Sequence, residues 1–116
     1  IERHLPTAKI IRENVETLQV ADRCKVIVSD AFHWLKMEPE LPDIRWTVFF
    51  CPPYRLFVEQ KQQMIAMISG LMEKAPQDSI FIVESDEQFD FSELPDAEAW
   101  KRRTYIPAEI GVWYKP

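Results

Sequence analysis

Val48-Phe49-Phe50-Cys51-Pro52-Pro53-Tyr54 drives a strand-forming run straight into two consecutive prolines. The upstream half, Arg45-Trp46-Thr47-Val48-Phe49-Phe50, is rich in the β-branched and aromatic side chains that pack well on a pleated surface. Pro52 and Pro53 have no N–H to give a ladder, and each pushes the residue before it toward extended geometry. The strand therefore ends here, with a stiff turn at its carboxyl edge. In open α/β sheets ligands bind at that edge, and Tyr54 offers a flat ring on which a nucleobase can stack. The plainer reading of the same residues is a proline-stiffened loop with Tyr54 as packing.

The flanking patterns decide which fold this strand serves. Ile10, Ile11, Val15 and Leu18 recur at helical spacing and predict an amphipathic helix from Pro6 to Val20, with Pro6 in its first turn. Cys24–Ser29 reads as a strand with Asp30 at its carboxyl end, and Ala31–Lys36 as a short helix. Pro39 and Pro42 mark a loop before the Trp46–Phe50 strand. Leu56–Lys74 is the longest predicted helix, its methionines serving as core filler. Ser79–Ser85 is nearly all apolar, as expected of a strand covered on both faces.

Asp86–Ala99 is an acidic, poorly periodic connection. Lys101–Ile106 and Glu109–Tyr114 alternate as strands about a Pro107-Ala108 turn, with Gly111 marking a bulge or a close approach. Helices alternating with strands imply parallel strands with crossover helices, closed by an antiparallel hairpin. The expected architecture is a single α/β domain over residues 1–116.

Composition narrows the chemistry. The 116 residues include only two glycines, which excludes a glycine-rich phosphate or cofactor loop within them. A net charge of −5 argues against a uniformly basic nucleic-acid surface, though Lys101-Arg102-Arg103 forms one basic run. Cys24 and Cys51 lie in separate predicted strands without metal-ligand spacing, which suits a reduced, cytoplasmic protein. His4 and His33 lack a ligand set, so no metal is expected, and neither a membrane span nor a signal peptide is evident.

Pro52 and Tyr54 resemble motif IV of the amino-group methyltransferases, usually Asp/Asn-Pro-Pro-Tyr/Phe, with Cys51 standing where the acid or amide is usual. The resemblance implies that Pro52 accepts a hydrogen bond from a target amine and that Tyr54 holds the base, with Cys51 and Pro53 completing the turn. Because a thiol is a weak donor and acceptor, Cys51 is a poor substitute for a carboxylate at that position. Glu2 resembles the acidic residue that binds the ribose hydroxyls of S-adenosylmethionine. Ser29-Asp30-Ala31 resembles the segment whose Asp side chain and following N–H hold adenine.

The order of these motifs is similar to that of the bacterial 16S rRNA guanine-N2 methyltransferases. It implies a Rossmann-like sheet, mostly parallel with a C-terminal antiparallel hairpin, truncated at its N-terminus so that the first strand and the Gly-rich loop are missing. S-adenosylmethionine is the implied cofactor and ribosomal RNA the implied partner of the full-length protein, with self-association through exposed strand edges a further expectation. Two other readings stay open: a non-catalytic methyltransferase-like module, and a methylase of DNA adenine N6 or of protein glutamine.

Overall fold

The computed structural model describes residues Ile1–Pro116 and divides them into two compact units, Ile1–Leu41 and Pro42–Pro116. In the first unit, helix α1 (Leu5–Thr17) carries Pro6 in its first turn, where a missing N–H leaves no bond unmade. The helix stops short of the expected Val20. Gln19 adopts a left-handed φ of 55°, its N–H donates to the Glu16 carbonyl, and the Val20 N–H donates to the Val15 carbonyl. These two bonds satisfy carbonyls that the helix end would otherwise leave open. Helix α2 (Ala31–Lys36) begins where expected, with the Asp30 carboxylate accepting from the His33 N–H at 3.0 Å.

The strand expected over Cys24–Ser29 reduces to a single parallel bridge between Glu2 and Val28. The Glu2 N–H donates to Ile27 at 2.9 Å and the Ser29 N–H to Glu2 at 3.2 Å. Strand propensity is realised only against a partner ladder, and within this unit Glu2 alone supplies one.

The second unit is built on a four-stranded sheet in the order β1-β2-β4-β3. Its strands are β1 (Thr47–Phe50), β2 (Ile80–Asp86), β3 (Lys101–Tyr105) and β4 (Ala108–Tyr114). β1 and β2 are parallel, with Phe50 level with Val83. β4 runs antiparallel to both β2 and β3, so β1, β2 and β3 share one direction and β4 alone reverses it. The hairpin expected at the end of the chain is thus present, with β4 inserted between β2 and the edge strand β3.

The Leu56–Lys74 segment is two helices, α3 (Leu56–Glu59) and α4 (Lys61–Lys74), because Gln60 at φ −128° and ψ 34° leaves helical geometry. Phe57, Met64, Ile68, Leu71 and Met72 form their buried face, which bears out the core role of Met64 and Met72.

β2 does not bury both faces within this structure. Phe81, Val83 and Ser85 are fully buried, while the alternating Ile80, Ile82, Glu84 and Asp86 are half-buried. The cover over the buried face comes from the connection that lacked periodicity. Phe91–Glu93 and Ala97–Ala99 are short 3₁₀ turns, and Phe89, Phe91, Leu94 and Trp100 are all buried. Phe89 lies 4.7 Å from Phe57 and 5.5 Å from Phe91, and Trp113 packs edge-on to Phe81 at 5.6 Å between ring centroids.

Gly111 is a close-approach point, and pairing runs through it without a bulge. A Cβ there would sit 2.4 Å from Phe91 Cε1. No helix is long and apolar enough to cross a membrane.

Candidate functional site

The prolines end β1 as expected, and the chain then turns tightly into α3. The Pro53 carbonyl accepts from the Leu56 N–H at 2.9 Å and the Tyr54 carbonyl from the Phe57 N–H at 3.0 Å. Phe57 is buried, which anchors this turn to the core. The Pro52 carbonyl receives no hydrogen bond from any protein donor. It is therefore an acceptor left open at the carboxyl edge of the sheet.

Tyr54 is half-buried and does more than pack. Its hydroxyl donates to Glu84 Oε1 at 2.6 Å, bridging the turn to the end of β2. That bond, with burial and the negative charges of Glu84 and Asp86, raises the Tyr54 pKa above the usual phenol value. Cys51 is exposed and reduced. Phe50 and Val83 are the last pair of the parallel ladder, and Cys51 and Glu84 follow them on their two chains, close enough for the thiol to feel the Glu84 carboxylate. Partial burial first, then the charge of the adjacent Glu84 carboxylate and a thiol hydrogen bond to it, raises the Cys51 pKa, so the protonated thiol is favoured.

Glu84 is the residue that sequence reasoning missed. It forms no ion pair with any Lys, Arg or His; the Tyr54 hydroxyl is its strong hydrogen-bond partner, and the weakly donating Cys51 thiol is also within its reach. The available signal was its position, since it is the first ionisable residue after the apolar run Ile80–Val83. That places it at the same carboxyl edge as the Pro-Pro-Tyr turn.

The other expected site residues belong to the first unit. The Glu2–Val28 bridge holds Glu2 beside the segment that leads into Asp30 and Ala31. Glu2 Oε1 accepts from the His4 N–H at 2.7 Å, and no protein donor reaches Oε2. Asp30 Oδ1 caps α2, while Oδ2 lies 4.0 Å from Arg3 Nη1. Each carboxylate thus keeps one oxygen able to accept from a further donor. No group of three His, Cys, Asp or Glu residues is placed to hold a metal ion.

No protein-family model and no curated protein matches the chain. Solved structures do. A candidate methylase of Haemophilus influenzae superposes with a TM-score of 0.68 at 20% identity, over 98% of this chain and 69% of the other. A candidate methyltransferase of Escherichia coli, YhhF, gives a TM-score of 0.66 at 17% identity, over 98% of this chain and 59% of its own. The chain therefore has a methyltransferase-like α/β fold, and it spans 69% and 59% of the lengths of these two neighbours.

Proposed function

We propose that this chain is a partial methyltransferase domain that uses S-adenosylmethionine to methylate an exocyclic base amine, guanine N2 of small-subunit ribosomal RNA being the preferred target. The observation that carries this reading is the β1 turn. It offers an open Pro52 carbonyl beside a Tyr54 ring whose tilt is set by a 2.6 Å bond to Glu84.

Glu2 would hold the ribose hydroxyls of the cofactor, and Asp30 with the Ala31 N–H would hold adenine. When bound, S-adenosylmethionine supplies a methyl group on a positively charged sulfur, which leaves as a neutral thioether. The protein's own part is positioning, because methyl transfer requires in-line approach of the amine. Tyr54 stacks the base, and the Pro52 carbonyl accepts one amine N–H, restricting the direction of the nitrogen lone pair. Cys51 and Pro53 fix the course of the turn. The exposed run Lys101-Arg102-Arg103 on edge strand β3 supports an RNA partner through phosphate contacts. Phe49, 67% exposed on the edge strand β1, supports self-association of the isolated chain.

The test is transfer of labelled methyl from S-adenosylmethionine by the full-length protein to unmethylated small-subunit RNA, with DNA and a glutamine peptide as competing acceptors. Transfer to RNA guanine is expected, and Tyr54→Ala should weaken base binding by about 1–3 kcal/mol. Transfer to DNA adenine or to the peptide would move the substrate assignment.

A second reading is favoured by Cys51 alone: a thiol grips an amine poorly, as a module that no longer catalyses would tolerate. Absence of transfer to every acceptor, with the cofactor shown to bind by calorimetry, would establish that reading.

A further inference from the structure

An exocyclic amine presents two N–H donors, and holding both of them fixes the direction of its lone pair. The β1 turn provides one strong acceptor, the Pro52 carbonyl. Cys51, the side chain next to it, provides only a thiol. Just past the last β1–β2 pair, next to Cys51, stands Glu84, a half-buried carboxylate without a cationic partner. Its Oε1 is occupied by the Tyr54 hydroxyl, and the other donor within its reach is the Cys51 thiol, too weak to compete with an amine N–H. An ionised carboxylate has about four acceptor sites on its two oxygens, so a single phenol leaves it far from satisfied.

We propose that Glu84 is the second ligand of the target amine: Oε1 fixes the Tyr54 ring while Oε2 accepts an amine N–H. This rests on the amine-methylating reading above and adds a residue from a different strand to the site. One carboxylate then couples the two parts of base recognition. The ring that stacks the base and the oxygen that takes its amine move together. It also explains how a thiol is tolerated at position 51. The strong acceptor stands on β2, so position 51 need not supply one. After transfer, the proton released from the methylated nitrogen passes to Oε2 and from there to water, which regenerates the carboxylate.

The test compares two short RNAs that differ only in guanosine or inosine at the target, since inosine lacks the 2-amino group. Their affinities are measured for the full chain, for Glu84→Gln and Glu84→Ala, and for Glu84→Ala combined with Cys51→Asp. The unmodified chain should prefer guanosine by about tenfold to a hundredfold, the worth of a hydrogen bond to a charged group. Both single variants should lose most of that preference, over and above any weakening shared by the two RNAs through a loosened Tyr54 ring. The Asp at position 51 should restore it.

A merely structural Glu84 would behave differently: loosening Tyr54 would weaken both RNAs alike and leave the preference intact. That result overturns the Glu84 assignment alone, provided the unmodified chain still methylates guanine. Failure of the unmodified chain to bind either RNA or to methylate guanine would overturn the amine-methylating reading and Glu84's role with it. Glu84→Gln is close in shape to the native residue, so a folding defect in Glu84→Ala alone would not obscure the outcome.

Discussion

Residues 1–41 and 42–116 both carry apolar side chains at regular spacing, yet they place them differently. In the first unit Ala8 is the one fully buried apolar residue, and Ile10 and Leu18 are 57% and 71% exposed. In the second, Phe57, Ile68, Phe81, Val83 and Phe91 are almost wholly removed from water. The difference lies in what the periodicity meets. The apolar stripe of α4 packs in a unit that also holds a four-stranded sheet and an aromatic connection. Within its own unit, α1 is accompanied only by α2 and one bridge. Hydrophobic spacing thus specifies a face, and the opposing surface decides how much that face stabilises.

Paired truncations break the comparison most directly. Phe81→Ala should cost about 3–5 kcal/mol, because it empties a site lined by Phe50 and Trp113. Ile10→Ala should stay within about 0.5 kcal/mol, as exposed substitutions do. Urea unfolding followed by circular dichroism measures both. A comparable loss from Ile10→Ala would show that residues 1–41 bury a core of their own strength in solution.

Gly111→Ala sharpens the same contrast from the opposite direction. A methyl there meets the Phe91 ring edge at 2.4 and 2.9 Å and Trp100 at 3.1 Å, so the aromatic cover must shift. Overpacking of this type costs about 1–3 kcal/mol. The midpoint of urea unfolding should fall. An unchanged midpoint would mean that the Phe89–Trp100 cover is loosely seated.

Those two sites also show what was legible in the chain. Gly111 could be read as a close-approach point because a lone glycine in a strand has few other uses. The Pro-Pro-Tyr turn was legible because proline acts on its own backbone and its immediate neighbour. Phe89, Phe91 and Leu94 were not, since short turns bury residues without a fixed period. The Cys24–Ser29 strand shrank to one bridge for a related reason: composition favours a strand, but a ladder needs a partner. Glu84 escaped because its meaning depends on Tyr54, thirty residues earlier in the chain. Local pattern carried the turn, and tertiary pairing completed the candidate site.

The Tyr54–Glu84 bond gives the second unit a pH signature. A phenol whose folded pKa is raised keeps its proton longer in the native state than in the unfolded one. Its contribution is therefore fully present below the ordinary tyrosine pKa of about 10 and is lost as pH rises through the folded value. Ultraviolet titration should show Tyr54 ionising above the ordinary phenol range. Glu84→Gln should bring it back toward the ordinary range, because the negative charge is gone. If the native titration shows a single ordinary transition, the bond is not held in solution.

The smallest effect tests the first unit's own design. With only two glycines in the chain, its left-handed positions fall to Gln19, Glu38, Asp78 and Asp96. Asp tolerates this region better than most residues, because its short side chain can bond locally. Gln19 lacks that advantage, yet at φ 55° it closes α1 through the bonds to Glu16 and Val15. Gln19→Gly removes the Cβ clash, worth roughly 1 kcal/mol at such a position. Part of that gain is offset by glycine's greater freedom in the unfolded chain. A net stabilisation of about 0.5 kcal/mol is expected, confined to residues 1–41. Amide exchange resolved by residue should therefore slow at the C-terminal turn of α1 and stay unchanged in β2 and β4. Slowing across β2 and β4 as well would show that the two units unfold together, so that the contrast in burial between them is no contrast in stability.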